Sequence, residues 1–139
     1  MTFEKEFVVG RPREEVVADL DDDRTFAAFF PDTRVTRKSE RVRETSTPFR
    51  ALGQSRAIRF VFETLPDGNV RFEKICDGNV WRSLEGEVKL EERPQGRTRV
   101  VLRMDGRTRT FVPEMTIRGP MRAQIEQMTR ALRSRLETR

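Results

Sequence analysis

The stretch RGPMRAQIEQMTRALRSRLETR, residues 118–139, decides what the rest of this sequence has to supply. In a helix that turns about 100° per residue, its apolar side chains fall on one narrow stripe, and arginines occupy the opposite side. An amphipathic helix of this kind needs an apolar surface to cover. The members of the stripe are Met121, Ile125, Met128, Leu132 and Leu136.

The surface beneath the helix is predicted to be a β-sheet. From residue 34 onward, apolar and polar residues alternate with the two-residue period of strands for about eighty residues. The connections carry turn residues, such as PDGN at 66–69 and PQG at 94–96, and short connections make successive strands antiparallel. We predict strands at residues 34–44, 51–63, 69–76, 80–91 and 98–111, preceded by one at residues 3–9.

Two short helices are predicted between the first strand and the others. Pro12 suits the first position of one helix, and Asp23 suits the cap of a second helix that Pro31 ends. Asp21, Asp22 and Asp23 form an acidic run, which we interpret as a capping and solvated segment rather than a metal site.

Composition limits the chemistry available to the chain. Its 139 residues suit a single domain spanning 1–139, and it has no histidine and one cysteine, Cys76. Histidine-based catalysis, an intrachain disulfide and a cysteine-based zinc site are therefore excluded. The net charge is +5, but the basic residues are scattered, so nucleic acid is not the expected partner. We expect a cytoplasmic protein, because no transmembrane run or signal peptide is recognisable.

The order of elements resembles that of the helix-grip superfamily. The residues that carry the resemblance lie in NVWRSLEGEVKLEERPQGRTRVVLRM, residues 79–104: Trp81 early in one strand and the pattern Gly96, Thr98, Val100 leading into the next. The superfamily includes START lipid-transfer domains, birch-pollen-allergen proteins, polyketide cyclases and coenzyme Q-binding proteins. The resemblance implies an α+β fold in which a curved antiparallel sheet of about six strands grips the long C-terminal helix, with a ligand cavity between them.

Strand parity gives the candidate residues of that cavity. Apolar residues at two-residue spacing are expected to face the helix, and cations of the same parity face the same way if no bulge intervenes. These cations would neutralise a carboxylate or phosphate on the ligand, whereas a bulge or a position at the cavity mouth would leave them without that role. The candidates are Arg56, Ile58, Phe60, Phe72, Lys74, Arg82, Leu84, Leu102 and Met104 on strands, and Met121, Ile125 and Met128 on the helix.

The leading hypothesis is binding of a small hydrophobic or amphipathic ligand, such as a lipid, quinone or polyketide, without catalysis, cofactor or metal. The alternative that apolar side chains simply fill the core stays open, as does the choice between monomer and homodimer. A cyclase or aromatase is a second hypothesis, but its only candidate strand acids, Glu63, Glu73 and Glu87, are predicted to face outward. A basic protein that binds the ribosome or nucleic acid is a third.

Overall fold

One antiparallel sheet dominates the computed structural model, which describes residues 1–51, 54–76 and 80–137. Within these residues the strand order is β1-β7-β6-β5-β4-β3-β2. The structure confirms the predicted α+β class, with a curved open sheet, two short helices after the first strand and a long C-terminal helix. The elements are β1 (Thr2–Val9), α1 (Arg13–Leu20), α2 (Asp23–Ala27), β2 (Arg34–Arg37), β3 (Val42–Ala51), β4 (Gln54–Thr64), β5 (Val70–Lys74), β6 (Trp81–Arg93), β7 (Arg97–Thr108) and α3 (Glu114–Glu137).

The described part of the sheet has seven strands rather than about six, because the predicted strand at 34–44 is a hairpin. The chain reverses after Arg37, where the backbone N–H groups of Lys38 and Ser39 donate to the carbonyl of Val42 at 2.8 and 3.1 Å. This turn contains neither glycine nor proline, so its residues carried no strong turn signal.

The acidic run caps α2 one residue earlier than predicted. Asp22, not Asp23, is the N-cap, and its carboxylate accepts a hydrogen bond from the backbone N–H of Arg24 at 2.9 Å. The side chain of Arg24 also donates to it, and these hydrogen bonds lower the pKa of Asp22 to about 2. Asp21 and Asp23 are left to make contacts with the sheet.

Helix α3 begins at Glu114 and runs through Gly119 and Pro120. The five-residue apolar stripe is buried as predicted, and Ile117 extends it by packing against the core. The helix lies closest to β1 and β7. The inner face of the other strands is covered mainly by side chains from α2 and from the strands themselves. None of the helices in the described ranges is long and apolar enough to cross a membrane.

Gly86 leaves room for a ring at the centre of the sheet. It pairs with Phe72 on β5 and with Met104 on β7. A Cβ at this position would lie 2.4 Å from the Cζ of Phe72 and 2.3 Å from the carbonyl oxygen of Arg103. No side chain fits there, so the missing Cβ lets the Phe72 ring lie flat against β6.

Candidate ligand-binding site

Most of the predicted site residues come together in one buried cluster between the sheet and α3. Strand register explains this, because Phe72, Gly86 and Met104 lie opposite one another on the same face of three neighbouring strands. Each clustered side chain is at most 4% exposed. The predicted residues in this cluster are Phe60, Phe72, Leu84, Leu102, Met104, Met121, Ile125 and Met128.

An aromatic group fills the part of this interior that α3 does not cover. Phe62 lies at its centre, with its ring centroid 4.7 Å from that of Phe26 and 5.3 Å from that of Phe72. Phe29 and Phe60 complete the group, at 5.7 and 6.0 Å from Phe62. A ligand entering here would therefore have to displace side chains.

The sheet opens at one end, which we call the mouth end. Strands β3, β5 and β7 end there, and β4 and β6 begin there. Along β4 towards this end, the inner face passes from buried Phe60 to half-buried Ile58 and then to exposed Arg56. On β5, buried Phe72 is followed on the same face by half-buried Lys74. The inner face thus changes from apolar to cationic over two positions of each strand.

Two of the predicted cations keep the expected parity and one does not. Arg56 and Lys74 lie at the mouth end, and each has an interaction partner within the protein. Arg82 lies in a register irregularity between Trp81 and Ser83. Trp81 and Leu84 are both buried, whereas Arg82 is exposed. The assumption of a strand without bulges is therefore wrong for β6, because the irregularity shifts the inward parity by one residue.

A buried arginine that was not among the predicted residues holds the helical segment onto the sheet. Arg43 lies opposite Phe62 on the inner face and has no exposed surface. Its guanidinium donates to the Asp21 carboxylate at 2.7 Å and pairs with Asp23 at 3.2 Å. It also lies over the Phe26 ring, 4.6 Å from the centroid.

The surroundings of Arg43 balance its charge. Burial on its own would raise the pKa of Asp21, but hydrogen bonds from Thr64 and Arg43, together with the positive charges of Arg43 and Arg37, lower it. Arg37 also pairs with Asp23, at 3.1 Å. Two carboxylates and two guanidiniums thus form a cluster without net charge, which is the condition for burying an arginine at moderate cost.

The three strand carboxylates lie on the outer face of the sheet. Glu63 accepts a hydrogen bond from Arg71 at 2.7 Å, and Glu87 pairs with Lys89 at 3.6 Å. Glu73 is exposed on the same side. The predicted outward direction of these acids is confirmed. Among the described residues, no group of three or more acids and cysteines is placed to hold a metal ion.

Comparison with solved structures identifies the fold. The chain matches Zhui aromatase/cyclase from Streptomyces sp. R1128 with a TM-score of 0.74 and 17% identity, over 98% of this chain and 91% of that one. It matches a START superfamily protein from Mycobacterium smegmatis with a TM-score of 0.71 and 13% identity, over 97% and 96% of the chains. The protein TTHA0849 from Thermus thermophilus gives 0.73 and 16%, over 98% and 97%.

These similarities confirm the helix-grip fold that the element order predicted. They extend over nearly the whole chain. No protein-family model matches the sequence, and no curated protein matches it. The structural resemblance therefore establishes the architecture, while the function has to be argued from the residues themselves.

Proposed function

We propose that the protein binds a small amphipathic ligand with an acidic group between its sheet and α3. The apolar part of the ligand would lie among Met104, Met121 and Met128, and its acidic group would lie at the mouth end near Arg56 and Lys74. The observation that supports this proposal is the change along the inner face of β4 and β5 from buried aromatic to cationic side chains. That gradient matches the polarity of a ligand that enters tail first.

The residues that would make room for the tail are suited to moving. Methionine has an unbranched side chain with several rotatable bonds, so it can repack around a guest with little strain. Met121 follows Pro120 on α3, and proline provides no backbone N–H for the helical hydrogen bond at that point. The first turns of α3 are therefore held less tightly to the rest of the helix than its later turns.

The named structural relatives support binding of this kind, since one is an aromatase/cyclase and another a START superfamily protein. For this chain we favour binding over cyclase catalysis. General acid–base chemistry needs a proton donor or acceptor within reach of the ligand. The three strand carboxylates that could serve lie on the outer face, with Glu63 and Glu87 paired to cations there.

Calorimetric titration with decanoate and with decanol tests the proposal, since the two ligands share a chain and differ in charge. We expect decanoate to bind more tightly than decanol. The double variant Arg56→Gln and Lys74→Gln should weaken decanoate binding by about tenfold, because each lost charge-assisted contact is worth on the order of 1 kcal/mol. Decanol binding should be unchanged.

Arg71→Gln is the matched control, because Arg71 is an exposed cation on the outer face of the same sheet. It should bind decanoate like the unmodified protein. If neither ligand binds, or if the control weakens decanoate binding as much as the double variant does, the proposed site is wrong.

A further inference from the structure

Exposed large apolar side chains are concentrated at one corner of the described surface. Of the four such residues, only Val8 lies elsewhere, on the outer face of β1. The other three are Val80 at the start of β6, Phe111 in the connection from β7 to α3, and Met115 in the first turn of α3. Phe111 is 95% exposed and Met115 is 85% exposed, so neither takes part in the core.

Backbone hydrogen bonds hold these side chains outward. The N–H of Arg109 donates to the carbonyl of Val80 at 3.0 Å, which joins the two segments. The Val112 N–H donates to the Arg109 carbonyl at 2.9 Å, and the Thr108 hydroxyl donates to the Val112 carbonyl at 2.8 Å. Phe111 thus lies within a closed turn rather than on a free loop.

Helix geometry explains the exposure of Met115. It precedes Ile117 by two residues, which places the two side chains roughly 200° apart around the helix axis. Because Ile117 packs on the core, Met115 has to point to the opposite side. No rotation of α3 could bury Met115 without exposing the apolar stripe.

The same corner carries a concentrated positive charge. In residues 80–83 and 106–119 there are four arginines, all exposed, and a single acid, Glu114. This is a local charge of +3, against a net charge of +5 for the whole chain. The apolar–basic corner is therefore defined by Val80, Phe111 and Met115 together with Arg82, Arg107, Arg109 and Arg118.

We propose that the apolar–basic corner docks on the surface of an anionic lipid bilayer. Protruding apolar side chains can enter the region between headgroups and acyl chains, while arginines around them contact anionic headgroups. Two side chains that project from a convex turn suit a fluid surface, which adapts to them without a matching pocket. The corner adjoins the mouth end, but docking needs no bound ligand and is independent of the proposed function.

Flotation with vesicles tests this surface. The protein alone should float with vesicles of phosphatidylcholine and phosphatidylglycerol at low salt, and not with vesicles of phosphatidylcholine alone. The double variant Phe111→Ser and Met115→Ser should lower binding to the anionic vesicles by tenfold or more, since burying a large apolar side chain contributes roughly that factor or more. Arg109→Gln and Arg118→Gln should lower it by about fivefold each.

Val8→Ser is the matched control, because it removes an exposed apolar side chain on a different face. It should bind vesicles like the unmodified protein, and all variants should keep the same melting temperature. The proposal is overturned if the protein binds neither type of vesicle, or if the Phe111 and Met115 variant binds anionic vesicles normally. It is also overturned if that variant converts a dimer into a monomer, because the corner would then be an interface between copies of the chain.

Discussion

Replacing Arg43 with alanine should lower the free energy of unfolding by about 3–5 kcal/mol, the cost of breaking a buried ion pair by removing one partner. The Arg43 guanidinium is fully buried and contacts Asp21, Asp23 and the Phe26 ring. Its removal leaves two carboxylates facing a void and loosens the contact between the helical segment and β3. Urea denaturation followed by circular dichroism measures the change.

Arg41→Ala is the appropriate comparison, because Arg41 precedes β3 and its side chain is exposed. That substitution should change the free energy of unfolding by no more than about 0.5 kcal/mol. The triple variant Arg43→Met, Asp21→Asn and Asp23→Asn should recover much of the loss, since it removes the charges together. Equal effects of Arg43→Ala and Arg41→Ala would show that the cluster does not anchor the helical segment.

Replacing Phe62 with alanine should lower the free energy of unfolding by about 3–5 kcal/mol, as is usual when a fully buried ring is removed. Phe62 is 1% exposed and packs against four other phenylalanines. These neighbours come from α2, β4 and β5, and from the residues just after α2, so the ring links several elements. The void cannot close without moving all of them.

Phe111→Ala provides the control for Phe62→Ala, since it removes the same side chain from a position that is 95% exposed. Its effect on the free energy of unfolding should stay within about 0.5 kcal/mol. A loss below about 1 kcal/mol for Phe62→Ala would mean that the aromatic group repacks freely and does not form a defined core.

The long-range order of the fold could be predicted because it depends on periodic features. The stripe from Met121 to Leu136 and the alternation from residue 54 to residue 104 each repeat a single geometric rule over many residues. Errors in one position hardly affect such patterns. The class, the covering helix and most of the buried cluster therefore followed from the sequence.

Single-residue features of the site were not accessible in the same way. The irregularity at Arg82 shifts strand parity by one residue, and nothing in the residues WRS marks it. Arg43 has inward parity, yet a lone cation in a polar strand is normally assigned to solvent. The acidic run Asp21–Asp23 was the available signal for its partners, but their contact with β3 depends on tertiary packing.

Methionine methyl resonances test the proposed binding site most directly. The chain has five methionines: Met104, Met121 and Met128 are buried beneath α3, Met115 is exposed, and Met1 lies near the start of β1. In protein labelled with carbon-13 at these methyl groups, addition of decanoate should shift the resonances of Met104, Met121 and Met128 and leave that of Met115 in place. Shifts confined to Met115 or Met1, or no shift at saturating decanoate, would contradict binding between the sheet and α3.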